Sequence, residues 1–455
     1  MTDSAAMLGS RPLGRLLWHT SSQTTLSVGV YGVYALTNAW FVARGVGAEA
    51  MAAVNLAAPV LLVLGAVSTT VGVGGASLVS RCLGAGDRAG AARAAGNAFA
   101  VFWIAAALTT ALGLLGIEPL LTALGADAAT RDLTRDYTVV LLCGALVSTG
   151  FSSLVRAEGR LRFSTLLWVI PVLVQITLDP LLIFGLGWGV RGAALGTVGG
   201  QAVSAAMSIW FFFRQRDRPY RISRSDLIPH GPTVRALAGV GAPSFLAGFG
   251  ATLLAVLVNH TLSGAGGGAA LAAYAVCARI QTFVVMPQLG ISQGLQPVVG
   301  YNAGRGNHDR VRRARTLSLR AGVLYGALSA IVVVVFADPL VAFFLPGGEA
   351  AATAEHALRI IALGFVAAGV TPLISAYWQA LGRPALSYVI SVGSLLAIKA
   401  PLVLVLAHTG VTGVWLALAL GEVLTALAAL LLSRRGGPRP AGRPDTGAPR
   451  RWRSG

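Results

Sequence analysis

The sequence predicts an all-α integral membrane protein, with twelve transmembrane helices in two pseudo-symmetric six-helix lobes around a central cleft. Three observations carry that expectation. Of the 455 residues, 55% are hydrophobic and 11% charged, with mean hydropathy +0.71. Soluble domains carry roughly 25% charged residues. Polar breaks also divide the chain into twelve apolar runs, near 16–40, 51–80, 95–116, 134–155, 163–186, 190–213, 236–262, 269–299, 314–336, 356–380, 385–407 and 411–433. A helix needs about 20 apolar residues to cross the hydrocarbon. Finally, the last six runs repeat features of the first six.

Charge places these runs in the bilayer. Residues 1–15 read as a cytoplasmic tail with Arg11 and Arg15, and no short apolar leader with a cleavage site precedes the first run. The runs of 16–213 form the first lobe and those of 236–433 the second. Between them lies the longest polar connection, "RQRDRPYRISRSDLIPHGPTVR" at 214–235. Residues 434–455 are basic and rich in Pro and Gly, and read as a disordered tail. With the N-terminus in the cytoplasm, 28 of the 35 Lys and Arg fall on the cytoplasmic side and five outside; Arg279 and Lys399 lie inside runs. That asymmetry puts both termini in the cytoplasm of a multi-pass cytoplasmic-membrane protein. The net charge of +18 is therefore a topology signal and implies no nucleic-acid partner. Lipid contact follows from the spans themselves.

Enzyme chemistry finds no foothold. Cys82, Cys143 and Cys277 fall in or beside different runs, without CxxC spacing, and the six histidines form no HExxH pair. No hydrolase nucleophile motif is present. The reading is a non-enzyme without cofactor or metal.

The duplication is legible at three places. "SRCLGAGDRAGAARA" (80–94) matches "GYNAGRGNHDRVRRA" (300–314), "RAEGR" (156–160) matches "QALGR" (379–383), and "DPLLIFGLGWGVRGA" (179–193) matches "APLVLVLAHTGVTGV" (400–414). All three keep their order at offsets of 220 to 223. Each half starts on the same side, so the repeats are parallel and related by an axis along the membrane normal. Two such bundles with a cleft between them suit alternating access.

"YALTNAWFVARGVG", "GGASLVSRCLGAGD", "RAEGRLRFS", "LDPLLIFGLGWGVRGAAL" and "GISQGLQPVVGYNAGRG" together resemble the multidrug and toxic compound extrusion (MATE) family, in its bacterial drug/cation antiporter branch. The resemblance covers nearly all of 15–433. It implies export of amphipathic, cationic drugs or toxic metabolites in exchange for inward H⁺ or Na⁺, by a functional monomer.

Asp179 and Glu422 are the only acids deep in apolar runs. Each costs about 2.5–3.5 kcal/mol on an insertion scale, so each needs a partner or a use. Gln175 and Asp179 are four apart and share a helix face. Pro180 follows and should bend the helix by freeing the Ile176 carbonyl. The resemblance implies a cation-coupling site at Asn38, Gln175, Asp179, Ala193 and Thr197. Asn38 stands where the family usually has Asp, Gln175 where Asn is common, and Gln23 where a helix-bending proline is expected. That leaves Asp179 as the site's sole carboxylate. A lone carboxylate in low dielectric suits proton carriage, and one carboxylate with neutral oxygens also suits Na⁺. The structural alternative is a buried Asp that bonds Asn38 and backbone to hold helices together.

Lys399 and Glu422 fall near mid-depth on adjacent antiparallel runs and read as a neutralising pair, with direct transport as the alternative. Pro287 and Pro297 flank "QLGISQGLQ" and predict a bent helix, a further hinge beside Pro180. Gln288, Gln293 and Gln296 are candidates to line the substrate path, or else pack between helices. Tyr34, Trp40, Tyr274 and Trp378 are candidate cation–π faces, and Asn259 is a polar candidate in the second lobe. A rival reading keeps the architecture and changes the cargo to a lipid-linked saccharide or peptidoglycan precursor. Against it, only Arg279 and Lys399 are deep, too few to make a basic cluster for pyrophosphate.

Overall fold

The computed structural model describes residues 4–147 and 151–435, and among them there is helix but no strand. Among the described residues ten helices are long and apolar enough to span a bilayer, and a bent pair supplies an eleventh. One of the ten, Gly231–Gly304, has 74 residues. At 1.5 Å per residue it would run about 110 Å, against roughly 30 Å of hydrocarbon. It is broken at Gly267, whose φ of 59° and ψ of −147° are non-helical. Twelve passes result: α1 (Leu13–Gly45), α2 (Glu49–Gly84), α3 (Arg88–Leu115), α4 (Arg131–Ala157, described outside 148–150), α5 (Leu161–Gly185), α6 (Gly189–Arg214), α7 (231–266), α8 (268–304), α9 (His308–Val335), α10 (Glu349–Leu363 bent by 45° against Phe365–Ala380), α11 (Pro384–Thr409) and α12 (Val411–Arg434).

Local chemistry explains where these helices begin. Gly86 turns the chain with φ 77°, and Asp87 Oδ1 accepts the Gly90 N–H at 2.7 Å to start α3. At the repeat of this place Gly306 also has φ 77°, and Asn307 Oδ1 accepts the Arg310 N–H at 3.2 Å to start α9. Capping of this kind satisfies a donor that the first helical turn leaves orphaned. The Gly-rich stretches are thus helix connectors.

The lobes meet at their arginine-rich end. A Cβ on Gly84 would lie 1.9 Å from Tyr301 O, and one on Gly304 would lie 2.0 Å from Arg81 O, so only glycine permits this reciprocal approach of α2 and α8. Ser77 Oγ donates to Gln379 O at 2.6 Å, and Arg156 Nη2 donates to Gln293 Oε1 at 3.3 Å. Val79 and Phe99 of the first lobe share one buried core with Val298 and Tyr377 of the second. Toward the other end the cores separate: Val42, Tyr137 and Val190 pack in the first lobe, and Val258, Leu358 and Trp415 in the second. The cleft therefore opens away from the arginines.

Two polar segments are seated in the fold. Ala6–Ser10 is a short helix with Ala5 and Leu8 buried in the shared core, though the sequence reads 1–15 as a tail. Leu8 O accepts from Asn302 Nδ2 at 2.9 Å, and Ser4 Oγ donates to Glu158 O at 3.0 Å. In the 214–235 connection, Asn97 Nδ2 donates to Asp226 O at 2.9 Å, and the His230 N–H donates to Asn97 Oδ1 at 2.7 Å. The basic tail beyond Arg435 lies outside the described residues.

Pro287 and Pro297 lie within continuous helix, and helical φ/ψ is lost at Gly267. At Pro180 the irregularity follows the proline rather than preceding it. Leu181–Gly185 forms a turn of π-helix, with the Leu186 N–H donating to Leu181 O at 2.9 Å. Such wide turns recur at functional helices.

Candidate functional site

Polar side chains at helical spacing build the site. On α5, Trp168, Gln175 and Asp179 fall on one face; on α6, Thr197, Gln201 and Ser204 do the same. Inside the first lobe these faces meet α1, α2 and α4 around a cavity of about 660 Å³. Tyr34, Asn38, Asn55, Tyr137, Gln175 and Thr197 are part of its wall, and among the described residues no charged side chain lines it.

Asp179 stands behind that wall, fully buried. Its Oδ2 accepts from Asn38 Nδ2 at 3.4 Å and from Gln175 Nε2 at 3.3 Å. Gln175 Nε2 also donates to Thr197 Oγ1 at 3.2 Å. Asp179 Oδ1 has no hydrogen-bond partner among the described residues. It lies over Gly196, where a Cβ would come within 1.9 Å of it. Ala193, one turn before Thr197, is fully buried in the core of the first lobe. The structure thus gathers Asn38, Gln175, Asp179 and Thr197 into one network, with Ala193 packed beside it. A buried oxygen without a donor is costly unless the carboxyl is protonated or meets a cation. Asn38 and Gln175, which line the cavity, each hold Asp179 by one hydrogen bond, so the carboxyl lies one side chain behind the wall.

Most of the other cleft candidates lie outside this first-lobe cavity. Tyr34 lines the cavity. Trp378 does not line a path: it is fully buried in the core shared by the lobes, edge-on to Tyr377. Tyr274 stacks on Trp415 at 6.3 Å, partly buried in the second lobe. Gln288 is buried, and its Nε2 donates to Phe365 O at 3.0 Å. Gln296 Nε2 donates to Gln379 Oε1 at 3.3 Å, and Gln293 accepts from Arg156. Their amides are thus used between helices. Trp40 is exposed and edge-on to Phe41, and Asn259 is exposed near the end of α7; both stand outside the cavity wall. The wall residues Tyr137, Trp168, Gln201 and Ser204 were not singled out from sequence. Their signal was a polar stripe of helical period within apolar runs.

Lys399 Nζ lies 2.6 Å from Glu422 Oε1, with side chains 21% and 17% exposed. Lys399 ends a π-turn, Leu395–Lys399, that follows another at Val389–Gly393. Lys399→Met or Glu422→Gln alone should lower the yield of folded protein by stranding a charge. The penalty should fall short of the roughly 3–5 kcal/mol of a fully buried pair. The double substitution should recover most of the yield, as measured by size-exclusion chromatography. A double variant as poor as the worse single one rules out mutual neutralisation.

The MatE family model matches residues 25–181 and 243–405. The FAD transporter of Shewanella oneidensis is 26% identical, over 96% of this chain and 97% of that protein. Multidrug export protein MepA of Staphylococcus aureus is 27% identical, over 92% of this chain and 93% of that one. A multidrug resistance MATE family transporter solved in an outward-facing conformation superposes with TM-score 0.89 at 25% identity, covering 96% of this chain and 98% of the other. A MATE structure in a straight conformation gives the same TM-score, identity and coverage. With two thirds of its residues under the family model and its fold reproduced end to end, this chain belongs to the MatE family and is a membrane transporter, not an enzyme.

Proposed function

We propose that this transporter is a secondary active antiporter of the cytoplasmic membrane, with both termini cytoplasmic. It exports amphipathic, cationic drugs or toxic metabolites in exchange for inward H⁺ or Na⁺. The observation that carries this reading is Asp179: a single buried carboxylate, bonded to Asn38 and Gln175, behind the uncharged wall of a cavity of about 660 Å³. Relatives named as multidrug exporters support the substrate class.

With the arginine-rich end cytoplasmic, the open end of the cleft faces outward. In that state the coupling cation reaches Asp179 and cancels its charge, so a cationic substrate loses its counter-charge and leaves. The lobes then reorient, the coupling cation leaves inward, and the restored carboxylate attracts the next substrate. The coupling cation must bind the substrate-releasing state more tightly, because a ligand shifts two states only by its differential affinity.

A second reading takes FAD or a similar anionic molecule as cargo, favoured by the relative of that name. The absence of Lys and Arg from the described cavity wall weighs against it, and equally against a pyrophosphate-linked saccharide. Proteoliposomes separate these readings. Efflux of a cationic dye should follow an imposed pH or Na⁺ gradient, whichever ion couples. Gradient-driven movement of FAD with no movement of cationic dyes would replace the proposal with the second reading.

A further inference from the structure

Duplication of the fold creates two pseudo-equivalent positions at the arginine-rich seam. In one, the would-be Cβ of Gly159 is met by Ser4 O at 2.3 Å, and that of Gly9 by Tyr301 Cε1 at 2.8 Å. The N-terminal segment therefore fills it, and its arginine, Arg160, is bonded to Asp217. The other has Gly382 and Arg383 where the first has Gly159 and Arg160, and Arg81 where the first has Tyr301. Among the described residues no chain segment fills it. It is a cavity of about 390 Å³ whose wall includes Arg81 and Cys82 from the first lobe and His308 and Arg383 from the second.

Positive charge outnumbers negative in the described wall of this second cavity, Arg81 and Arg383 against Asp87. Arg81 Nε donates to Ser77 O at 3.2 Å, and its guanidinium packs against Gly382. Neither Arg81 nor Arg383 has an ion-pair partner among the described residues. Asp87, the one carboxylate among the described wall residues, accepts the Gly90 N–H at the start of α3 and pairs with neither arginine.

We propose that this cavity binds a phosphate group, held between Arg81 and Arg383 with His308 at its rim. Guanidinium pairs match phosphate oxygens in charge and geometry. Basic pockets between helices on the cytoplasmic side also take phospholipid headgroups. The two arginines come from opposite lobes, so an anion that bridges them favours the closed seam over the open one. Phosphate binding here does not depend on which substrate the transporter carries.

Cys82 lines the cavity, so its alkylation reports occupancy. The full chain with Cys143→Ser, in which Cys277 stays buried, would be treated with a maleimide. In neutral detergent, inorganic phosphate would be compared with chloride at matched ionic strength. In nanodiscs, phosphatidylcholine alone would be compared with a phosphatidylcholine–phosphatidylglycerol mixture. We expect severalfold protection of Cys82, with Arg383→Gln weakening phosphate by roughly tenfold or more. Arg313→Gln, on the same face but outside the cavity, should leave protection unchanged. Protection by phosphate in detergent identifies a soluble ligand, and protection by phosphatidylglycerol alone identifies a lipid headgroup; each supports the site. The proposal is overturned if neither protects, or if protection survives intact in both Arg383→Gln and Arg81→Gln. Arg383 is exposed, so its variant remains informative even where Arg81→Gln fails to fold.

Discussion

Asp179→Asn is expected to reduce gradient-driven efflux to the level of empty liposomes while leaving expression near that of the parent chain. The amide keeps the shape of the carboxylate and still offers an oxygen to Asn38 Nδ2 and Gln175 Nε2, now at 3.4 and 3.3 Å. It costs less to bury, because a neutral group loses less hydration than an ion. What it cannot do is gain and lose charge during the cycle. Asp179→Glu should retain only part of the activity, because its extra methylene must fit where Asp179 already lies against Gly196. Asn38→Asp should add Na⁺ dependence by placing a second carboxylate beside the first. The assay is dye efflux from proteoliposomes across a pH series and with imposed Na⁺. If Asp179→Asn, purified and well folded, transports at the parent rate and pH dependence, then Asp179 is a structural residue. Coupling would then have to be sought first at Glu422.

The second large effect is expected at the arginine-rich end of the first lobe, and it concerns stability. Arg218 and Glu158 form an ion pair with side chains 1% and 0% exposed. Arg218 Nε donates to Glu158 Oε2 at 3.2 Å, and Nη1 donates to Phe212 O at 2.6 Å. The guanidinium lies 4.5 Å from the Phe212 ring centroid and 4.6 Å from that of Tyr220. Burial, reinforced by the Glu158 carboxylate, pushes the Tyr220 phenol well above its usual value, so this aromatic wall stays neutral at any working pH. Arg218→Met leaves Glu158 charged and unpaired in a dry pocket, at a cost of about 3–5 kcal/mol. The midpoint of thermal unfolding in detergent should fall clearly below that of the parent. Adding Glu158→Gln to Arg218→Met should restore much of the loss, since the stranded charge is then removed. No loss from Arg218→Met would mean that the pair contributes nothing to holding the 214–235 connection on the first lobe.

Residues differ in how far the sequence revealed them. Asp179 was legible because a charge inside an apolar run is expensive, and Gln175 because it lies one helical turn away. Lys399 and Glu422 were legible for the same reason, as opposite charges at similar depth. Trp378 and Gln288 stayed ambiguous: an aromatic or an amide on a span is chemically suited to a cleft and equally suited to a core. Which of the two it faces depends on helix rotation, and that is set by packing against neighbours. Arg218 and Glu158 gave no signal, because both lie in polar connections 60 residues apart, where charge is ordinary.

The sequence by itself determined the number of passes, their approximate ends, the duplication and the charge asymmetry. Each of these follows from local composition read against the thickness of a bilayer or against the chain's own other half. The tertiary structure alone decided which polar faces meet around the cavity and that Asp179 Oδ1 is left without a donor among the described residues. It also decided that the lobes close at the arginine-rich end, and that the N-terminal segment fills one seam position while no described segment fills its counterpart. Those outcomes depend on contacts between residues up to about 300 positions apart, such as Ser77 with Gln379 and Leu8 with Asn302. Hydropathy and spacing describe how a helix meets lipid; they do not specify which of its faces another helix will cover.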